Sequence, residues 1–142
     1  MDSMPIIIER TYPVPATKVW AAISNRDEMA VWYFDLKEFR ADRGFEFSFE
    51  GGPDDKEPYI HLCKVKEVIL EKKLSYTWKY KGYAGESLVS FELWEEGNIT
   101  KLRLMHEGLE TFPADNPDLA KHNFVNGWTH IIGTSLNNYL RG

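Results

Sequence analysis

The chain begins with an apolar run that gives way to alternation, and then to helical spacing. Residues 5 to 12 open with Ile6, Ile7 and Ile8 and then alternate, which predicts a strand that ends at Pro13. Pro15 suits the first turn of a helix, because its φ is already helical and its missing N–H is not needed there. The apolar residues of this helix recur three or four apart: Val19, Trp20 and Ile23.

A second short helix is expected directly after the first. Ser24 and Asn25 are residue types that end one helix and cap the next. The apolar residues assigned to this second helix are Met29, Val31 and Trp32. The first third of the chain therefore predicts a strand followed by two helices.

From Asp35 onward the apolar period is two, which is typical of half-buried strands in an antiparallel sheet. We expect strands over residues 45–49, 59–68, 74–80 and 87–94, and a last strand that carries Leu102, Leu104 and His106. Turn-forming residues separate them at 51–55 (Gly-Gly-Pro-Asp-Asp) and at 95–98 (Glu-Glu-Gly-Asn). Consecutive strands joined by short turns predict a meander.

A long helix is predicted at the C-terminal end. Asn116 and Pro117 form an N-cap and first-turn pair, so the helix is expected to begin there. Its apolar stripe needs a sheet to cover it, and comprises Phe124, Trp128, Ile131, Ile132, Ser135, Leu136, Tyr139 and Leu140. The predicted fold class is α+β, one domain over residues 1–142, with a curved antiparallel sheet around this helix and an aromatic-lined cavity between them.

Composition narrows the function classes. The 142 residues are 43% hydrophobic and 14% aromatic, enough for one sizeable core. The net charge is −5 and the basic residues are scattered, so nucleic-acid binding has little support. No apolar run is long enough to span a bilayer and no leader-type segment is present, so we expect a cytoplasmic protein that does not insert into membranes.

Motifs for metals and cofactors are missing from the sequence. His61, His106, His122 and His130 are far apart, and no glycine-rich phosphate loop occurs. Cys63 is the single cysteine, predicted to face inward as an inert apolar residue. No pair of carboxylates is placed at a common site by its spacing. We therefore expect no metal, no cofactor and no identifiable acid-base pair of carboxylates.

Several short motifs follow one another in a fixed order. They are residues 8–20 (IERTYPVPATKVW), Trp32, residues 74–78 (LSYTW), 100–104 (TKLRL) and 106–108 (HEG), and the pair Gly127-Trp128. In order and spacing the chain resembles the activator of heat-shock-protein-90 ATPase homologue (AHSA-type) family. That family belongs to the START-like, or SRPBCC, helix-grip superfamily, with polyketide cyclases and Bet v 1-type binders. The resemblance covers nearly the whole chain.

The resemblance implies a helix-grip fold, which hosts binders, transporters and enzymes alike. Eukaryotic co-chaperones of this family carry an additional N-terminal domain, whereas this chain begins at the first strand and so resembles stand-alone, largely bacterial members. Direct activation of a chaperone ATPase is accordingly not expected. The first hypothesis is a binder of a small hydrophobic ligand, such as a lipid, polyketide or aromatic metabolite, with a stress-response or transport role.

The residues expected to line the ligand site face the predicted interior. They are Phe47, Tyr76, Trp78, Phe91, Leu104, His106, Phe124, Trp128 and Ile132. Phe45 is a further aromatic candidate, and each ring has the alternative of serving only as core. Trp128 is expected at the centre of the helix-sheet contact, with Gly127 allowing close approach of the helix.

Two alternative functions remain open from the sequence. An enzyme of the cyclase or hydrolase type would use His106 as acid or base, although a core histidine satisfied by a neighbouring hydroxyl or carbonyl fits the same position. Tyr76, Ser90 and Ser135 are the other polar candidates, with Ser90 expected to face outward. A chaperone-associated interaction module would instead use the outer sheet face, where Trp94 and Leu88 are the aromatic and apolar candidates.

Overall fold

The computed structural model describes residues 4–52 and 57–141, which form one sheet and a set of helices. The strands are β1 (Ile6–Tyr12), β2 (Glu46–Gly51), β3 (Tyr59–Ile69), β4 (Lys73–Tyr80), β5 (Ser87–Glu96) and β6 (Ile99–Glu107). The helices are α1 (Ala16–Ser24), α2 (Arg26–Trp32), α3 (Lys121–His130) and α4 (Leu136–Arg141). A π-helical segment, Ile131–Ser135, joins α3 to α4. The predicted turn at 51–55 falls partly on residues 53–56, which lie outside the described residues.

All six strands form a single antiparallel sheet in the order β1-β6-β5-β4-β3-β2. Strands β2 to β6 follow one another as the predicted meander, and β1 closes the far edge by pairing with β6. Leu104 stands opposite both Ile8 of β1 and Phe91 of β5, so these apolar residues share one face. The C-terminal helix covers that inner face, which confirms the α+β helix-grip fold.

Helices α1 and α2 are joined at Asn25, as predicted. Its side chain accepts a hydrogen bond from the backbone N–H of Glu28 at 3.1 Å, which caps α2. Trp32 ends α2 and donates its indole N–H to the carbonyl of Ala22 at 2.8 Å. The assignment of Val31 to the apolar face was wrong, since this residue is 70% exposed.

The chain between α2 and β2, called the connecting segment (residues 33–45), has no regular helix or strand. The prediction that period-two structure begins at Asp35 was therefore wrong, and the strand begins at Glu46. Leu36 and Phe39 are nonetheless buried, and Tyr33 and Phe34 are half-buried against the core. The segment thus contributes core side chains without a repeating backbone.

The long helix begins later than its capping signal predicts. Asn116 and Pro117 open a 3-10 turn, Pro117–Leu119, in which the Asn116 side chain accepts from the N–H of Asp118 at 3.0 Å. Ala120 then has extended backbone angles, so α3 starts only at Lys121. The cap was identified correctly, but it serves the short turn before the helix.

The buried stripe of the C-terminal helix runs through α3, the π segment and α4 in steps of four: Phe124, Trp128, Ile132, Leu136 and Leu140. The π segment is tied to the sheet by Tyr12, whose hydroxyl donates to the carbonyl of Ile132 at 2.6 Å. The glycine of this helix that contacts the sheet is Gly133, where an added Cβ would lie at an ordinary van der Waals distance, 3.4 Å, from the Arg10 guanidinium. The expectation for Gly127 was wrong, because this residue is exposed and a Cβ there would meet no atom within 4 Å.

We expect Gly127→Ala to stabilise the protein by about 0.5–1 kcal/mol. Alanine has less backbone entropy to lose on folding than glycine, and at this exposed helix position its methyl group meets no other atom. Chemical denaturation of the variant measures the gain. Gly133→Ala is the matched comparison, and it should also be tolerated, because its methyl group would make only an ordinary van der Waals contact with the Arg10 side chain. A loss of stability in Gly127→Ala would contradict the helix orientation described above.

Candidate functional site

The nine residues predicted to line the ligand site all lie in the hydrophobic core. Each of them is at most 9% exposed: Phe47, Tyr76, Trp78, Phe91, Leu104, His106, Phe124, Trp128 and Ile132. The structure therefore brings them together between the helix and the inner sheet face, although the interior is closed to solvent and not an open cavity. Their role in ligand contact stays a prediction.

Aromatic rings contact one another throughout this interior. Trp128 of α3 lies 5.6 Å from the ring of Trp78 and 6.1 Å from that of Phe91. Nearer the edge strand, Phe47 meets Tyr76 edge-on at 5.1 Å. These distances are those of favourable stacked and edge-to-face pairs, so the rings stabilise the core as well as lining it.

His106 is fully buried and both of its ring nitrogens are engaged. The Trp128 indole N–H donates to Nδ1 at 3.0 Å, so Nδ1 carries no proton. Nε2 therefore holds the proton of the neutral ring and donates to the Ser87 hydroxyl at 2.7 Å, which in turn donates to the Trp78 carbonyl at 2.8 Å. Every donor in this chain of hydrogen bonds has one acceptor.

Burial lowers the pKa of His106 to about 3, so the ring is neutral at physiological pH. A general base needs a free lone pair, and a general acid needs a proton directed at substrate. His106 offers neither, because Nδ1 accepts from Trp128 and Nε2 donates to Ser87. Of the two interpretations of the sequence, the core histidine satisfied by a hydroxyl is the one that the geometry supports.

The remaining polar and aromatic candidates lie at the margins of the interior. Ser90 points to the face opposite Phe91, as expected, and pairs with Ser75 there, although it is buried. Ser135 is half-buried in the π segment. Phe45 is half-buried as well, with the Arg40 guanidinium 5.1 Å above its ring. None of these three joins the ring cluster around Trp128.

His61 is an inward-facing residue that the sequence reasoning did not select. It alternates with Cys63 and Val65, which were predicted inward on the same strand, so the alternation contained the signal. Its Nδ1 faces the carbonyls of Phe49 at 3.3 Å and Tyr59 at 3.2 Å, so Nδ1 carries the proton. Nε2 makes no hydrogen bond within the described residues, and it is not an orphaned buried atom, because no fully buried side-chain nitrogen or oxygen among those residues lacks a partner.

A pair of tyrosines places two hydroxyls together inside the protein. The Tyr33 and Tyr76 oxygens are 2.7 Å apart, and burial raises the pKa of both phenols. One hydrogen bond uses only one of the two hydroxyl hydrogens. The other has no acceptor in the described part of the chain, so the tyrosine pair holds one unused donor hydrogen.

The outer sheet face is polar by comparison. An open groove of about 560 Å³ crosses β2 to β4 and is lined mainly by charged and hydroxyl residues, including Glu46, Ser48, Lys64, Lys66, Thr77 and Lys79. Trp94 is 44% exposed, but Lys101 and Arg103 place their cations 5.3 and 4.9 Å from its ring centre. Leu88 is half-buried. No helix in the described residues is long and apolar enough to cross a membrane.

An antiparallel sheet that wraps a C-terminal helix over a closed aromatic interior defines a helix-grip domain of the START-like class. The sequence itself is more specific. Residues 13–141 match the profile of the family described as Activator of Hsp90 ATPase homolog 1-like protein, and the chain belongs to this family. Among curated proteins, none matches the sequence.

Solved structures share the fold at low sequence identity. MLL2253 from Mesorhizobium loti is 24% identical, with 97% of each chain covered and a TM-score of 0.78. Mll3558 from Rhizobium loti is 19% identical, with 96% of each chain covered and a TM-score of 0.81. DynU16, from the dynemicin biosynthetic locus, is 20% identical with a TM-score of 0.79 over 99% of this chain, which spans 48% of the DynU16 chain.

Replacing Trp128 tests the hydrogen-bond chain. Trp128→Ala should cost about 3–5 kcal/mol of unfolding free energy through the space it leaves. Trp128→Phe keeps much of the ring but leaves His106 Nδ1 without a donor, and should cost about 1–3 kcal/mol. Trp94→Phe on the outer face is the matched control, expected within about 0.5 kcal/mol of wild type. Equal losses in the two Phe variants would show that the indole hydrogen bond does not matter.

Acid should destabilise the fold through both buried histidines. Burial lowers the pKa of His61 to about 4 and that of His106 to about 3, while the unfolded chain titrates near 6.5. Protonation thus favours the unfolded state, and stability present above pH 6.5 is lost as the pH falls towards these values. Each histidine should cost about 2.5 kcal/mol at a pH about two units below 6.5.

Urea denaturation between pH 7 and about pH 4.5 measures this loss. His106→Gln removes one of the titrating groups, so its free energy of unfolding should change less steeply with pH than that of the wild type. Parallel profiles for the two proteins would show that His106 is protonated within the folded state.

Proposed function

We propose that the protein binds a small hydrophobic molecule, of the lipid, polyketide or aromatic-metabolite kind, between its C-terminal helix and the inner sheet face. The observation that carries the proposal is the cover over β2 and β3. There the aromatic rings are covered by the irregular connecting segment, whereas Trp78 of β4 also contacts Trp128 of α3. Side chains on such a segment can move without breaking regular backbone hydrogen bonds.

The chemistry of the interior favours an aromatic ligand. Rings of β2 and β4 present both faces and edges, which suits a flat apolar molecule. The unused donor hydrogen of the Tyr33–Tyr76 pair gives such a ligand a polar anchor. Ligand sites in proteins combine mostly apolar walls with a few polar groups of this kind. Burial of the ligand's apolar surface stabilises a complex by roughly 25 cal/mol per Å², which supports micromolar affinity after the free-energy costs of association are subtracted.

The solved neighbours give limited support. DynU16 is named for a biosynthetic locus, and its fold matches nearly the whole of this chain. A neighbour at this identity supports the shared fold, and the assignment of a similar ligand to this protein is part of the proposal. The lipid and the aromatic classes are therefore both included in the test below.

The two alternatives have less support. An enzyme that used His106 as acid or base would need to break its hydrogen bonds to Trp128 and Ser87. An interaction module on the outer face would rest on Trp94, whose ring is partly covered by two cations. Activation of a chaperone ATPase has no identified contact surface among the described residues. Binding without chemical change is the function that we propose.

Ligand titration tests this function directly. A panel of fatty acids, flavonoids and polyketide-like aromatics is added while tryptophan fluorescence and amide NMR shifts are recorded. We expect saturable binding of an aromatic member, with shifts at Phe47, Tyr76, Trp78 and Trp128, and recovery of the unchanged compound by mass spectrometry. Trp94→Phe should bind equally well, because this residue lies on the outer face.

Shifts confined to the outer sheet face, or no saturable binding in the whole panel, would contradict the proposal. Turnover of a bound compound that disappears in His106→Ala would support the enzyme instead. Preferential binding of fatty acids would keep the site but reject the aromatic preference.

A further inference from the structure

The ring of Phe34 occupies the inner surface that a flat ligand would use. It stacks on Phe49 with ring centres 4.2 Å apart and lies 6.3 Å from His61 and 6.4 Å from Trp78. Gly51 lies beside it, where an added Cβ would be in ordinary contact with the Phe34 ring at 3.8 Å and tight against His61 at 3.3 Å. Phe34 thus fills an aromatic slot on the sheet from a segment that is not part of the sheet.

Tyr33 fills the neighbouring polar position. Its ring lies 6.1 Å from Trp128 and its hydroxyl pairs with Tyr76 at 2.7 Å. Tyr33 and Phe34 together supply one hydroxyl and two rings to the interior.

An arginine side chain ties the connecting segment to α2, in addition to the backbone hydrogen bond from the Tyr33 N–H to the Met29 carbonyl at 2.7 Å. Arg26 Nε donates to the carbonyl of Leu36, and its Nη2 lies 2.9 Å from the Asp35 carboxylate. Both partners of the ion pair face water, with the Arg26 side chain 38% and the Asp35 side chain 77% exposed. Solvent competes for such contacts, so they hold the segment only weakly.

The helix that carries Arg26 is itself fixed. Asn25 caps its first turn, and Trp32 bonds back to Ala22 of α1. At its outer side, Glu28 accepts from the Tyr139 hydroxyl of α4 at 2.7 Å. The movable part therefore begins after Trp32, at Tyr33, and Arg26 is its tether.

We propose that Tyr33 and Phe34 occupy the ligand's place in the free protein, and that the ligand enters by displacing them after the Arg26 tether to Asp35 and Leu36 opens. The proposal rests on the proposed function and specifies how that site becomes available. Arg26 acts as a positioning residue, because it controls the segment and does not touch the ligand.

The displaced groups define the ligand's chemistry. Removing Tyr33 leaves the Tyr76 hydroxyl without its partner, and removing Phe34 exposes the ring surfaces of Phe49 and Trp78. The buried residues that the structure describes include no Asp, Glu, Lys or Arg, so a charged group would remain unpaired there. The ligand class that restores every contact is an uncharged aromatic molecule that bears a hydroxyl group.

The test uses 2-naphthol and 2-methylnaphthalene, two probes of similar size that differ in the hydroxyl group. Tryptophan fluorescence gives the Kd of each probe for the wild type and three variants. Arg26→Ala should lower the Kd of both probes by the same factor, about three- to tenfold, because it raises the population of the open form. Tyr76→Phe should reduce the preference for 2-naphthol. Arg103→Ala removes a similar contact to Glu9 on the outer face and should change neither Kd.

Hydrogen exchange separates displacement from simple docking. Saturating 2-naphthol should speed the exchange of the amide hydrogens of residues 34–39 in the wild type, since the segment leaves the interior. A ligand that docked beneath an unmoved segment would slow that exchange, and this result would overturn the proposal.

The remaining outcomes separate failure of the Arg26 tether from failure of the proposed binding function. Binding to the wild type with the same affinity in Arg26→Ala would overturn the tether and leave the proposed function standing. Failure of both probes, and of the wider panel, to bind either the wild type or Arg26→Ala would overturn the proposed function and the displacement together.

Discussion

The hydrogen bond from the Trp128 indole to His106 fixes how the helix sits on the sheet. It is continued by His106 to Ser87 and by Ser87 to the Trp78 carbonyl, so one path links α3 to β6, β5 and β4. Each hydrogen bond requires the previous one, because a buried donor that lacks an acceptor has lost its hydrogen bonds to water and gained none in the protein. The neutral state of His106, the rotation of α3 and the packing of the central rings all depend on this path.

The two halves of the interior differ in how completely their polar groups are matched. Around Trp128 each donor meets an acceptor, and the side chains come from helix and strand. Towards β2 and β3, the Tyr33–Tyr76 pair leaves one donor hydrogen unused, and the cover is the connecting segment. Fully matched networks specify a single packing, whereas a partly matched one can accept a different partner. The half of the interior near β2 and β3, which has unused hydrogen-bonding capacity, is therefore the half in which a ligand could replace protein side chains.

The sequence predicted the strands well because each carries a half-buried face, so alternation records burial directly, as along β5 and β6. The same alternation placed His106 inward, and it applied to His61, which was passed over only because no motif surrounded it. The connecting segment was not predicted because its buried residues follow no period: Leu36 and Phe39 are placed by contacts with distant residues. Gly127 was misassigned because the side of a helix that faces a sheet depends on helix rotation, which spacing alone determines poorly. The unused tyrosine donor depends on a contact between residues 43 positions apart and has no local signal.

The π segment has a consequence for the phase of the C-terminal helix. In a regular α-helix, positions four apart drift around the axis by about 40° at each step, so a stripe at spacing four spirals away from a fixed surface. The buried residues Trp128, Ile132, Leu136 and Leu140 have this spacing and still face one sheet. The wider π-helical turn at Ile131–Ser135 accommodates an extra residue, and this offsets the angular drift so that the stripe keeps facing the sheet. A deletion of one residue within the segment would restore an ordinary helix and rotate α4 out of register, whereas the same deletion after Leu140 would leave that register unchanged.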